Sequence, residues 1–131
     1  MKEIAPEWIG KIDPCEANCP SRDVLDLIGD RWSLLILLVI AQGQHRNGEL
    51  KRRVGGISQK MLTQTLRALE ANGLVERRDF QTVPPHVEYH LTPLGVSLGD
   101  AMTPFFEWIE RQFGAVQAAR AAFAARLAAA A

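Results

Sequence analysis

Lys60, Gln64 and Arg67 recur at intervals of four and three residues within SQKMLTQTLRALEANGLVERR, residues 58–78. That spacing stacks side chains on one face of an α-helix. Long polar side chains aligned in this way can bond base edges at two points, Gln with adenine and Arg or Lys with guanine. On a wheel of ~100° per residue with Leu62 at zero, Leu66 falls at about 40° and Leu69 at about 340°. Lys60, Gln64 and Arg67 fall between roughly 140° and 200°. The leucines must anchor the helix, and the three polar residues must point away from the core. Most exposed helix faces are only solvated charge, so neighbouring elements have to decide between the two readings.

Other reactive residues carry less. Cys15 and Cys19 form a C-x3-C pair, and two ligands cannot complete a tetrahedral zinc site. None of His45, His86 or His90 stands at ligand spacing to them, so neither a metal nor a cofactor is expected. Cys19 lies just before Pro20 and a helix start, where the helix dipole favours a thiolate. An unreactive cysteine is the alternative. Asp23, Asp26 and Asp30, like Glu107 and Glu110, read as solvated helix surface. With no Ser/His/Asp set, H-E-x-x-H, P-loop or G-x-G-x-x-G, no enzyme is expected.

The elements that position the polar face can be traced along the chain. Its 131 residues suit one compact domain. The apolar run Trp32 to Ala41 is half the ~20 residues of a membrane span, and the N-terminus lacks a basic segment followed by an apolar stretch. A cytoplasmic protein without membrane contact is expected, and there a structural disulfide is not. Net charge is zero but segregated: residues 1–43 carry −3, residues 44–90 carry +3 and the remainder balances. An anionic partner must therefore be bound by a local patch.

Residues 1–20, with Pro6, Pro14 and Pro20, read as an irregular arm. Ser21 to Gly29 places Val24, Leu25, Leu27 and Ile28 on a helical stripe, and residues 31–41 form a core helix that is apolar nearly all round. Asn47 is expected to cap a short helix with Leu50 and Val54 inward and Lys51, Arg52 and Arg53 wet. After the turn GGIS, Ser58 caps the next helix, and Gly73 stops it. LVERRDF and VEYHL have strand character, with Val87, Tyr89 and Leu91 alternating against Glu88 and His90. The intervening QTVPP favours a stiff, projecting loop. Thr92 and Pro93 open a last helix, whose Met102, Phe105, Phe106, Ile109, Phe113 and Val116 share a face. The Ala-rich residues 117–131 are expected to fray. Trp8, Trp32 and Trp108 read as core or dimer-interface residues.

Two helices joined by a Gly-containing turn and followed by a basic hairpin are what a winged helix-turn-helix needs for DNA. Its fold class is mainly α with a small β-hairpin (α+β), a three-helix core plus a wing. The DNA-facing set is Ser58, Gln59, Lys60, Thr63, Gln64 and Arg67 on the recognition helix, Arg52 and Arg53 beside it, and Arg77, Arg78 and His86 on the hairpin. Helix residues specify bases, and the wing fixes register through sugar and phosphate.

CPSRDVLDLIGDRWSLLIL, GISQKMLTQTLRALEANGLVERR and VPPHVEYHLTPLG, in that order over residues 19 to about 108, resemble the HxlR-type transcriptional regulators, winged helix proteins related to MarR. That family usually has an aromatic residue before the third helix, where this chain reads RNGEL. The resemblance implies a homodimer built from N- and C-terminal helices, with two recognition helices on the half-sites of a pseudo-palindromic operator in double-stranded DNA, acting as a repressor. It also implies that Cys19, with Cys15 nearby, can sense oxidants or electrophiles, and a small-molecule or oxidant effector stays open. On this reading residues 21–92 form the DNA-binding domain, 93–116 the dimerisation helix of the same compact domain, and 117–131 a tail. Two alternatives remain: a winged helix that binds protein, and a thiol-based sensor with DNA binding as its readout.

Overall fold

A computed structural model of the chain describes residues 15–131. Trp8 and most of the expected N-terminal arm lie outside the described residues. Two compact units are present, one ending at Gly95 and the other spanning Val96–Ala131. The first contains α1 (Pro20–Gly29), α2 (Arg31–Ala41), α3 (Asn47–Arg53), α4 (Gln59–Ala71) and an antiparallel hairpin of β1 (Val75–Asp79) and β2 (Val87–Leu91). Helix α5 (Pro93–Ala130) begins there and forms the second unit.

Most boundaries have local causes. Asp30, expected only as solvated surface, caps α2 by accepting a bond from the Trp32 backbone N–H at 3.1 Å. Asn47, expected as the cap of α3, is instead its first residue, because the Leu50 N–H already bonds the Arg46 carbonyl at 2.9 Å. Arg46 holds the cap position without a side-chain bond. Ser58 caps α4 as expected, accepting from Met61 N–H at 3.1 Å, and Gly73 follows its end at φ 75°, a left-handed conformation that glycine adopts without strain. Thr92 Oγ1 accepts from Gly95 N–H at 3.0 Å, and Pro93 is the first residue of α5. Residues 117–131, read as a tail of high helix propensity, belong to α5, which runs on to Ala130, in line with the helix propensity of alanine.

The core is built on α2. Ile36, Val39 and Ile40 are buried together with Leu50, Val54, Ile57, Leu62, Leu66, Leu69, Leu74 and Val75, and α2 packs against α1, α3, α4 and β2. The stripe on α1 does not join this core: Val24 and Leu25 are exposed and Leu27 and Ile28 half-buried. Trp32 is half-buried with the Arg31 guanidinium 4.4 Å from its ring, whereas Trp108 is exposed and not a core residue. The alternation expected along β2 is also absent, because all five of its residues are half-buried. His45 supplies the reason. Its carbonyl accepts from Tyr89 N–H at 2.8 Å, and its ring stacks on His90, covering what would have been the wet face. Among the described residues no helix is long and apolar enough to cross a membrane.

Candidate nucleic-acid interface

Helix α4 turns Leu62, Leu66 and Leu69 fully into the core and leaves Lys60, Gln64 and Arg67 exposed on the opposite side, the two-faced helix expected from spacing. Burying three leucines in full is worth about 1.5–3 kcal/mol each, which holds the orientation of the polar face. The N-terminal turn of α4 is ordered by side chains of its own: Ser58 caps it, and Gln59 Nε2 donates to Thr63 Oγ1 at 3.1 Å. On α3, Arg52 and Arg53 are exposed as expected, but Arg53 also donates to Gln42 Oε1 at 3.3 Å.

The hairpin separates two arginines that are adjacent in the sequence. In the ladder Arg77 pairs with Tyr89, and Arg78 pairs with Glu88; directly opposed residues share a face and neighbours alternate. Arg77 therefore shares a face with Tyr89, while Arg78 lies on the other face with Glu76, Glu88 and His90. Arg78 pairs with Glu76 at 3.5 Å and Arg77 with Asp79 at 3.8 Å, exposed pairs that contribute little. Beyond the strands, Phe80 N–H bonds the His86 carbonyl at 2.9 Å and Val83 stands 99% exposed at the tip, so the proline-bearing loop projects as expected.

His86 turns toward the strand. Glu88 accepts from His86 Nε2 through one carboxylate oxygen and from His90 Nε2 through the other, both at 2.7 Å. His90 in turn stacks on His45 at 4.0 Å, and His86 lies 4.5 Å from the Phe80 ring. The bond from His90, then that from His86, holds the Glu88 carboxyl below the usual carboxylate range, so it stays ionised at neutral pH. This His-Glu-His clasp runs along one face of β2, and the stacking of His90 on His45 ties it to the body of the domain. It was legible as HVEYH, where alternate positions of a strand carry His, Glu and His. The part played by His45 was not, since 40 residues intervene before His86 and its stacking on His90 is set only by the fold.

Between α4 and the wing lies a groove of about 410 Å³ lined by Asn47, Thr63, Arg67, Glu70, Arg77 and Tyr89. Arg67 and Arg77 were expected at the interface, but Asn47, Glu70 and Tyr89 were not. Cys15 and Cys19 stand at the start of α1, Cys15 exposed and Cys19 half-buried at the N-cap position, with Cys19 Sγ 2.8 Å from Ser21 Oγ. No group of residues suited to hold a metal ion occurs among the described residues.

The arrangement is that of a winged helix-turn-helix, and the sequence profile of the HxlR-like helix-turn-helix proteins matches residues 27–117. The chain belongs to the HxlR-like helix-turn-helix family. The HTH-type transcriptional regulator YtfH of Escherichia coli strain K12 is 46% identical over 103 residues, covering 79% of this chain and 82% of that protein. The structure of the transcriptional regulator ytfH from Salmonella typhimurium matches with a TM-score of 0.77 at 44% identity, over 84% of this chain and 98% of that one. The redox regulator HypR in its reduced form matches with a TM-score of 0.70 at 36% identity, over 76% and 98% of the two chains. This HxlR-like chain is accordingly a helix-turn-helix transcriptional regulator.

Proposed function

We propose that this HxlR-like regulator works in the cytoplasm as a homodimeric repressor on a pseudo-palindromic operator, with α4 in the major groove and the wing on the adjoining backbone. The observation that carries the reading is the two-faced α4, its leucines fully buried and Lys60, Gln64 and Arg67 exposed beside a basic hairpin. Two such helices related by a two-fold axis meet half-sites about one duplex turn, ~34 Å, apart. Gln64 is the base reader, since its amide can bond adenine at two points. Ser58, Gln59, Lys60 and Thr63 border it, and Arg52 and Arg53 are the α3 candidates for sugar and phosphate. Arg78, paired with Glu76, and His86, bonded to Glu88, lie on the other face of the hairpin from Arg77 and are left out of the contact set.

Selection from a random duplex pool, followed by footprinting on DNA flanking the protein's own gene, tests this. The wild type is expected to enrich a two-fold symmetric site. Gln64→Ala should weaken that site by about 1–3 kcal/mol and relax the base preference at one position of each half. Binding that is only salt-dependent, with no enriched sequence, would instead favour a winged helix directed at protein.

A second reading concerns the signal. Cys19 holds the N-cap position of α1, whose Val24 and Leu25 are exposed, and the structural relative HypR is a redox regulator. A disulfide from Cys19 to Cys15 or to a second copy would move α1 and so the spacing of paired recognition helices. Diamide, which takes up the two electrons and two protons released by a thiol pair, is expected to change operator binding by the wild type but not by Cys19→Ser. Cys15→Ser keeps the response when the bond joins Cys19 of two copies and loses it when the bond joins Cys19 to Cys15. Binding that survives complete thiol modification of the wild type leaves Cys19 a packing residue.

A further inference from the structure

We infer that the groove between α4 and the wing is a clamp for a single backbone phosphodiester of duplex DNA, held by Arg67 and Arg77 together, so that Arg67 grips the backbone and leaves base reading to Gln64. The inference rests on the reading that α4 meets DNA. It changes the division of labour that the spacing of Lys60, Gln64 and Arg67 suggests.

Three elements build the groove. Thr63, Arg67 and Glu70 follow one another at four and three residues on α4, a stripe along one edge of its exposed face. On the wheel Arg67 lies about 60° from Gln64, turned toward this stripe. From the hairpin come Arg77 and Tyr89, direct ladder partners whose side chains leave the sheet on the same side. Asn47, at the start of α3, closes the end. The base of the wing is fixed by the Tyr89 N–H bond to the His45 carbonyl and by the His45 ring at 3.0 Å from the Tyr89 carbonyl, which places Arg77 against α4.

The polar groups in the groove suit an acceptor-rich anion. Among the described residues the Arg67 side chain makes no hydrogen bond or ion pair, and the Arg77 side chain has only the loose contact with Asp79 at 3.8 Å. A guanidinium presents paired donors that match phosphate oxygens. The Thr63 hydroxyl accepts from Gln59 and keeps its own proton to donate, as the Tyr89 hydroxyl and the Asn47 amide can also do. Charge selects among anions. The lining carries two arginines and Glu70, with the Asp79 carboxylate 3.8 Å from Arg77 outside it. The local excess of positive charge is therefore at most one, which suits a singly charged phosphodiester better than a free phosphate with close to two negative charges at neutral pH. A volume of about 410 Å³ has room for a phosphate with its flanking sugar.

The experiment uses the operator found by selection, resynthesised with a neutral methylphosphonate at one backbone position at a time. Wild type is expected to lose about tenfold to a hundredfold in affinity at one position per half-site, the worth of a charge-assisted bond. Arg67→Ala and Arg77→Ala should each lose a similar factor on the natural duplex and then be insensitive to that methylphosphonate. Both should keep the wild-type base preference, and the slope of log affinity against log salt should fall by about one for each clamp. A changed base preference in Arg67→Ala, with its sensitivity to every methylphosphonate retained, would overturn the clamp while leaving DNA binding intact. Displacement of duplex by inorganic phosphate at constant ionic strength, seen in wild type and abolished in the Arg67→Ala, Arg77→Ala double variant, would assign the groove to free phosphate instead. Failure of the wild type to enrich any duplex would remove the DNA reading itself. Both arginines are exposed, and unchanged circular dichroism of the variants separates these outcomes from loss of fold.

Discussion

Gly95→Ala is expected to destabilise the first unit by about 1–3 kcal/mol or more, the range for forcing atoms into packed space. A Cβ placed on Gly95 would meet the Leu74 carbonyl oxygen at 2.1 Å and its carbon at 3.2 Å. Both are backbone atoms, so no side-chain rotation can relieve the clash. The same oxygen accepts from Thr92 N–H at 3.1 Å, and Leu74 N–H bonds the Leu69 carbonyl at 3.0 Å. Thr92 Oγ1 adds a bond to the Gly73 carbonyl and receives the Gly95 N–H. The first turn of α5 is thus latched to the junction of α4 and β1, and a methyl group at residue 95 must open the latch. For a domain of this size the loss corresponds to a fall in melting temperature of roughly 4–8 °C per kcal/mol. Gly99→Ala is the control: nothing lies within 4 Å of its Cβ position, so the change should be neutral or stabilise the helix by up to about 1 kcal/mol. Equal melting temperatures for Gly95→Ala and wild type would show that the close approach is not maintained in solution.

That latch had no signal in the sequence, where Gly95 reads as one more residue in the opening turn of a helix. What could be read was whatever depends on neighbours in the chain. The spacing of Leu62, Leu66 and Leu69 identified the buried face of α4, and Ser58, Gly73, Thr92 and Pro93 marked helix ends, because caps act within a single turn. The cap of α3 was misplaced by one residue for the same reason: Asn47 has the better side chain, but the backbone bond from Leu50 to Arg46 sets the start. Longer-range features were lost. Adjacent strand residues must point to opposite faces, so the separation of Arg77 from Arg78 was implicit. Which of them faces α4 depends on the ladder register, and a hairpin loop containing two prolines does not specify it. The clasp around Glu88 was half legible, as HVEYH, and half not, as His45 arrives from another part of the chain.

The largest functional effect is expected from Phe105→Asp combined with Ile109→Asp. Along α5, Phe105, Ile109 and Phe113 follow at intervals of four residues and are 50%, 39% and 54% exposed. Trp108, Ile109, Phe113, Val116 and Arg120 line a shallow depression of about 200 Å³. An exposed apolar stripe of this kind, rich in aromatic residues, is unusual on a surface left to water, and burying one such side chain contributes about 1.5–3 kcal/mol. In the proposed homodimer the two substitutions change four side chains across the two-fold axis. Each loses its apolar burial, and each carboxylate placed there must be desolvated without a partner. The combined penalty exceeds the ~4 kcal/mol that separates a nanomolar from a micromolar dimer. Sedimentation equilibrium should then show the wild type dimeric and the double variant monomeric at micromolar concentration. Because these side chains are exposed in the single chain, the variant should keep wild-type circular dichroism. Its operator affinity should drop toward that of one half-site, since two recognition helices no longer arrive as one body. A wild type that sediments as a monomer at micromolar concentration, or a double variant that stays dimeric and bound, would leave the stripe on α5 without this role and place the dimer contact elsewhere.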